Sequence, residues 1–306
     1  MFKFIKFIIC FLILYLIISK IDIIKINYIL KNANTYLILF AIILFCPQIF
    51  ISSFRFKFIL SKTNINLKIF NSIKLILLAN SSNVFLPGRL GDIMKGLLIK
   101  QNKLSNYDMI FLGLYEKIFD FSALILIMSI FASSLYFYSS EIVFVSIFYL
   151  FFFLTLHFNL NMIESFYKKI KFSKKSSKNF YILLKQFSIK KGFLSLILIS
   201  LILWFFHLLQ FYVFIKAFGI NIAMHSLFPN IAICLIIGLI PITPSGIGTR
   251  DLAFIYFFKD ILGLELTFIV TMFSHLRYFF PAILGLLFFE EIRSTNILNN
   301  LKKKLK

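Results

Sequence analysis

"NVFLPGRLGDIMKG", residues Asn83 to Gly96, puts a proline, three glycines, an arginine and an aspartate into a chain that is otherwise mostly phenylalanine, isoleucine, leucine and lysine. A second stretch, "GLIPITPSGIGTRD" (Gly238 to Asp251), repeats the pattern about half a chain later. The two windows hold six of the eleven glycines, three of the six prolines and two of the five arginines among 306 residues. Proline removes a backbone N–H and glycine admits backbone angles closed to other residues, so both stretches interrupt helices.

The interrupted helices are apolar. The chain is 60% hydrophobic, well above the roughly 45–50% of soluble domains. Apolar segments fall at about 4–19, 36–60, 67–86, 109–138, 142–160, 193–217, 227–242 and 263–289. Most are long enough to cross roughly 30 Å of hydrocarbon. The class expected is an all-α polytopic membrane protein; a β-barrel would show short alternating segments instead. Pro47 should kink the second segment. Lys3 and Lys6 precede the first, and no small-residue cleavage site follows it, so it reads as an uncleaved span.

The formal net charge of +21 does not point to nucleic acid, because the lysines cluster between apolar segments. Residues 164–191 carry nine lysines against one glutamate, and the chain ends in "LKKKLK". Arg55, Lys57, Lys62, Lys68 and Lys74 lie within 52–74. The positive-inside rule places these blocks and the N-terminus in the cytoplasm, and 139–141 and 218–226 outside. Each motif segment then enters and leaves from one face, the two from opposite faces. The architecture read is about six full spans plus two re-entrant or broken hairpins in an inverted repeat. It forms a single domain over 1–306, with halves at about 1–160 and 192–290, a basic linker at 164–191 and a basic tail at 291–306.

Aligning Pro87 with Pro244 matches Leu90 with Ile247 and Gly91 with Gly248. Each motif ends in an arginine and an aspartate: Arg89 and Asp92, then Arg250 and Asp251. A broken backbone in hydrocarbon must be buried in protein or line a wet cavity. A helix starting after each break would offer free N–H groups and a partial positive charge to a phosphate or carboxylate. Arg89 and Arg250 would add bidentate donors. The candidate headgroup-binding set is therefore Pro87, Gly88, Arg89, Gly91, Asp92, Pro244, Gly246, Gly248, Arg250 and Asp251. A purely structural role, neutralising charge and locking helices together, fits the same residues.

Glu116 and Asp120 share a helix face. They fit either an acid/base pair or, preferably, counter-charges for the motif arginines. Lys117 falls elsewhere and would snorkel. Arg277 in the last segment is expected to face inward, and with Glu116 and Asp120 to complete a polar cavity. His275 shares a face with Tyr278 and is left open between a site and a filler role. His207 and Gln210 share a face that suits an interhelical hydrogen bond; His157 carries no assignment. Cys10, Cys46 and Cys234 lie in apolar segments without metal spacing. The sequence holds no phosphate-binding P-loop, zinc-ligand cluster, nucleophile elbow or dinucleotide fingerprint. No catalytic set, metal or cofactor is expected.

"NVFLPGRLGDIMKG", "EKIFD", "IPITPSGIGTRD" and "LRYFFPAILG", in that order, resemble the lysylphosphatidylglycerol synthase transmembrane region, a group of flippase-like membrane proteins. The resemblance covers nearly the whole chain. It departs at Ser245, where a second glycine is usual, at Lys95 and Lys117, where arginine is common, and at Asp251, where glutamate is common. It implies a cytoplasmic-membrane protein that moves or binds lipid headgroups. In the best-known members this region is joined to a synthase that aminoacylates phosphatidylglycerol, and it flips the product outward. These 306 residues contain no such synthase, so the lysyl-lipid does not carry over. Other members accompany glycosyltransferases. The expected partners are thus an anionic phospholipid or a lipid-linked sugar, and a separate synthase or glycosyltransferase. The competing readings are a scaffold for such an enzyme, with the Lys168–Lys191 loop as docking surface, and a membrane-embedded lipid-modifying enzyme using Glu116 and Asp120.

Overall fold

The computed structural model describes residues 11–13, 15–63, 65–86, 90–99, 106–131, 144, 147–149, 192–240, 242–243 and 245–288. Pro87, Gly88, Arg89, Pro244, His157, Cys10, the 164–191 linker, the 291–306 tail and nearly all of segment 142–160 lie outside these residues.

Among the described residues the chain is helical and has no strand. The elements are α1 (Ile23–Lys31), α2 (Thr35–Ile43), α3 (Phe45–Ser61), α4 (Ile69–Phe85), α5 (Leu90–Met94), a 3-10 turn (Lys95–Leu98), α6 (Asn106–Ile130), α7 (Phe193–Ala217), α8 (Met224–Leu239), α9 (Thr249–Leu262) and α10 (Leu264–Leu286). Asp22 and Asn34 start α1 and α2 by accepting hydrogen bonds from backbone N–H groups of the first turn. The break between α2 and α3 follows from Pro47. Proline cannot bond the carbonyl four residues back, which belongs to Ile43, the last residue of α2.

Among the described residues, three helical stretches are long and apolar enough to cross a membrane: 35–61, 193–217 and 264–286. Solvent exposure is reversed relative to a soluble protein. Ile24, Tyr28, Tyr36, Leu194 and Ile283 are exposed, while Arg55, Lys95, Glu116, Asp120, Arg250, Asp251 and Arg277 are buried. Apolar side chains facing outward suit lipid, and ionisable groups facing inward avoid it. This is an all-α membrane protein.

The helix pairings repeat when the two halves are exchanged. With α3, α4, α5 and α6 set against α7, α8, α9 and α10, the α3–α4 contact has its counterpart in α7–α8, and α4–α5 in α8–α9. Likewise α5–α6 matches α9–α10, α4–α10 matches α8–α6, and α3–α10 matches α7–α6. The duplication written in the two motifs is thus also a duplication of packing, with each half clasping the last helix of the other.

The α4–α10 clasp depends on close backbone approach. A Cβ on Gly285 would strike the Leu77 carbonyl and Ser81 Oγ of α4. Ser81 Oγ donates to the Ala282 carbonyl across the same contact. Gly285→Ala is therefore expected to destabilise the fold by about 1–3 kcal/mol through overpacking. Thermal unfolding in detergent tests this. An unchanged midpoint would show that the helices do not approach this closely.

Candidate functional site

The first break places its charges against α6. Asp92 is the third residue of α5 and accepts from Asn83 Nδ2 at 2.7 Å, while its own N–H donates to Asn83 Oδ1 at 3.2 Å. Lys117 Nζ lies 2.6 Å from Asp92 Oδ2 and 3.3 Å from Asp120 Oδ2. Arg55 on α3 faces both carboxylates of α6. Its Nε and Nη2 donate to Glu116 Oε1 at 3.0 and 2.8 Å, and its Nη1 donates to Asp120 Oδ1 at 2.7 Å. From α7, Ser200 Oγ accepts from Arg55 Nη1 and Trp204 Nε1 donates to Asp120. Lys95 pairs with the second Glu116 oxygen, its ammonium lying over the Phe56 ring.

Arg55, Asp92, Lys95, Glu116, Lys117, Asp120 and Trp204 line a pocket of about 70 Å³. Its described wall carries four cations (Arg55, Lys95, Lys117 and Arg277) against three carboxylates (Asp92, Glu116 and Asp120), a formal excess of one positive charge. Each carboxylate already accepts from at least two donors. Arg277 Nη2 donates to Tyr278 OH, and its guanidinium lies 4.8 Å from the Phe211 ring centroid. Phe45, Ile49, Ile76, Leu203, Trp204 and Pro281 form the apolar part of the wall.

The second break builds a separate cluster. Ser245, Gly246 and Gly248 have positive φ, at 51°, 75° and 89°. A Cβ on Gly246 would come within 2.6 Å of the Gly238 carbonyl, so glycine is required there on both counts. The turn delivers Arg250 and Asp251 to the first turn of α9. Asp251 Oδ2 accepts from the Gly248 N–H at 2.9 Å, closing the helix start. His275 and Ser274 of α10 complete the cluster around Arg250. The two breaks meet where Ser245 Oγ donates to the Asn83 carbonyl at 3.0 Å.

The model of the family described as the lysylphosphatidylglycerol synthase TM region matches residues 3–285. This chain belongs to that family. Searches of curated proteins and of solved structures gave no match.

In this member of the lysylphosphatidylglycerol synthase TM region family, the candidate residues do not gather in one place. Asp92, Glu116, Asp120 and Arg277 line the pocket; Gly246, Gly248, Arg250 and Asp251 do not. Gly91 packs against Ala79 of α4, where a Cβ would meet the backbone. Glu116 and Asp120 are counter-charges, but for Arg55 and the two lysines rather than for Arg250. Lys117 turns inward to two carboxylates instead of snorkelling. The described helix after the first break has five residues and runs into a 3-10 turn, against fourteen after the second. Gln210 makes the interhelical bonds, to Gln48 and the Ala41 carbonyl, while the His207 ring sits on Trp204.

Sequence reasoning missed Arg55, which it counted with the cytoplasmic lysines of 52–74. The signal was present: Arg55 is one of five arginines in a lysine-rich chain, and it sits in an apolar run. Two unmatched carboxylates on α6 required a buried partner.

Proposed function

We propose that this chain binds the phosphate-bearing headgroup of a membrane lipid in the pocket between α3, α6, α7 and α10, and carries it across the cytoplasmic membrane. The observation that supports the reading is the wall charge, four cations against three carboxylates whose oxygens are already engaged. A headgroup bearing one negative charge balances that wall. A cationic aminoacyl headgroup would meet an excess of its own sign. The substrate class is thus an anionic phospholipid or a lipid-linked sugar phosphate. Packing that repeats on exchange of the halves suits alternating access by rocking of one half on the other. In this reading the two motif segments enter from opposite faces, with the N-terminus, the 164–191 linker and the C-terminus in the cytoplasm.

The test is headgroup accessibility in proteoliposomes containing fluorescent phosphatidylglycerol, phosphatidylcholine or a lipid-linked sugar phosphate. Wild-type protein is expected to move an anionic lipid faster than phosphatidylcholine. Arg277→Gln should slow that movement about tenfold or more, matching the loss of one charge-assisted contact of roughly 1.5–3 kcal/mol. Movement of none of the anionic lipids, or equal movement with the variant, overturns the reading.

A further inference from the structure

The Arg250 cluster lies outside the pocket, yet it holds a buried histidine between a cation and an anion. Arg250, Asp251 and His275 are 1%, 0% and 5% exposed. Arg250 Nη2 is 2.7 Å from His275 Nδ1, and His275 Nε2 is 3.0 Å from Asp251 Oδ2. A guanidinium donates and never accepts. Nδ1 must therefore present its lone pair, which leaves the proton on Nε2, donated to Asp251. The contacts define a neutral imidazole in one tautomer.

We propose that His275 is a proton-binding site whose occupancy is linked to capture of a phosphate oxyanion by Arg250. A proton arriving at Nδ1 turns that atom into a donor aimed at another donor, so the Arg250 contact must open while the Asp251 contact strengthens. Arg250 Nε and Nη1 have no hydrogen-bond partner among the described residues, so the released guanidinium presents both together with Nη2. Protonation also takes the cluster from neutral to a net positive charge in a buried place, a state that is costly without a counter-anion. The charged groups acting on the imidazole are Asp251 and Arg250 from α9 and Arg277 from α10 itself. Cys234 of α8 and Tyr278 of α10 neighbour Arg250. Among the described residues, α1, α3, α4 and α7, which also pack on α10, bring no charged group to act on the ring. Among the described residues no fixed negative charge beyond Asp251 acts on the ring, so an incoming oxyanion supplies the balance. Arg250 Cζ stands 5.2 Å from the centroid of the Tyr278 ring, which lines the pocket, so the oxyanion would come from that side. The inference rests on the lipid-headgroup reading for the source of the oxyanion, not for the proton site.

Linkage is reciprocal: a bound oxyanion makes protonation easier, and acid tightens oxyanion binding. The test uses the full chain in phosphatidylcholine nanodiscs with ¹⁵N-labelled histidine. The His275 resonances are identified by their loss in His275→Gln. At alkaline pH they should report protonated Nε2 and bare Nδ1. Short-chain phosphatidylglycerol, or inorganic phosphate in a parallel arm, should move the protonation midpoint upward. Affinity for that anion should rise by up to about tenfold per pH unit of acidification, the limit for one linked proton. Glutamine can accept from Arg250 and donate to Asp251 but takes no proton, so His275→Gln should abolish this slope. A response to phosphatidylglycerol alone assigns the source to a lipid headgroup; a response to inorganic phosphate assigns it to the free ion. A proton on Nδ1 at alkaline pH, a midpoint indifferent to both anions, or an unchanged slope in His275→Gln overturns the proposal. Lipid movement in proteoliposomes without a midpoint shift leaves the transport reading standing and removes this one. A shift with inorganic phosphate but no lipid movement does the reverse.

Discussion

Arg55→Met is expected to destabilise the protein by about 3–5 kcal/mol, the usual range when one partner of a buried ion pair is removed. The arginine bridges two carboxylates of α6 and a hydroxyl of α7, and its side chain is 3% exposed. Without it, Glu116 keeps Lys95 and Asp120 keeps Lys117 and Trp204, but three carboxylates then face two lysines in that network. Arg55→Lys should also lose stability, because one ammonium cannot replace a fork that meets both carboxylates at once. Removing a matching negative charge, in Arg55→Met/Asp120→Asn, should restore much of the loss. Equilibrium unfolding in mixed micelles gives the full double-mutant cycle. An Arg55→Met protein as stable as wild type, or a double variant worse than either single one, would show that the network does not hold the helices together.

Asp251→Asn should cost a similar amount, about 3–5 kcal/mol, for the opposite reason: it strands a cation. Asparagine fits the same space and can still accept from the Gly248 N–H that Asp251 Oδ2 now satisfies at 2.9 Å. It cannot offset Arg250, whose Nη2 lies 3.6 Å from Asp251 Oδ1 in a fully buried position. Arg250→Gln/Asp251→Asn removes both charges and should recover most of the stability. If the single and double variants melt together, Arg250 has another source of compensation and the cluster has been misjudged.

Much of the fold was legible because apolar runs and helix breakers act locally. Segment 193–217 coincides with α7, and 263–289 contains α10. Pro47 broke its helix one turn upstream, as its missing hydrogen bond requires. The site was less legible because charge pairing is not local. Aligning Pro87 with Pro244 put Asp92 opposite Thr249, whereas both aspartates occupy the third position of the helix that follows their break. Asp251 closes its own helix start, while Asp92 reaches Lys117 on another helix. Arg55 lies 61 and 65 positions from its two carboxylates, and no periodicity spans that distance. Arg277 was expected to face inward and lines the pocket, but that His275 meets Arg250 instead depended on how α10 lies on α4 and α9.

The same separation bears on how the protein is made. Arg55 leaves the ribosome inside an apolar stretch, and the carboxylates that neutralise it follow 61 and 65 residues later. At roughly 5–20 residues per second that interval is about 3–13 s. Through it a bare arginine would cost about 2.5–3.5 kcal/mol at the centre of an isolated membrane helix. α2 and α3 must therefore wait beside the insertion machinery, or lie shallow with Arg55 near the headgroups, until α6 arrives. Trp204 and Ser200 reach the network later still, with α7. The order of synthesis thus makes α6 the step that commits the first half to the membrane.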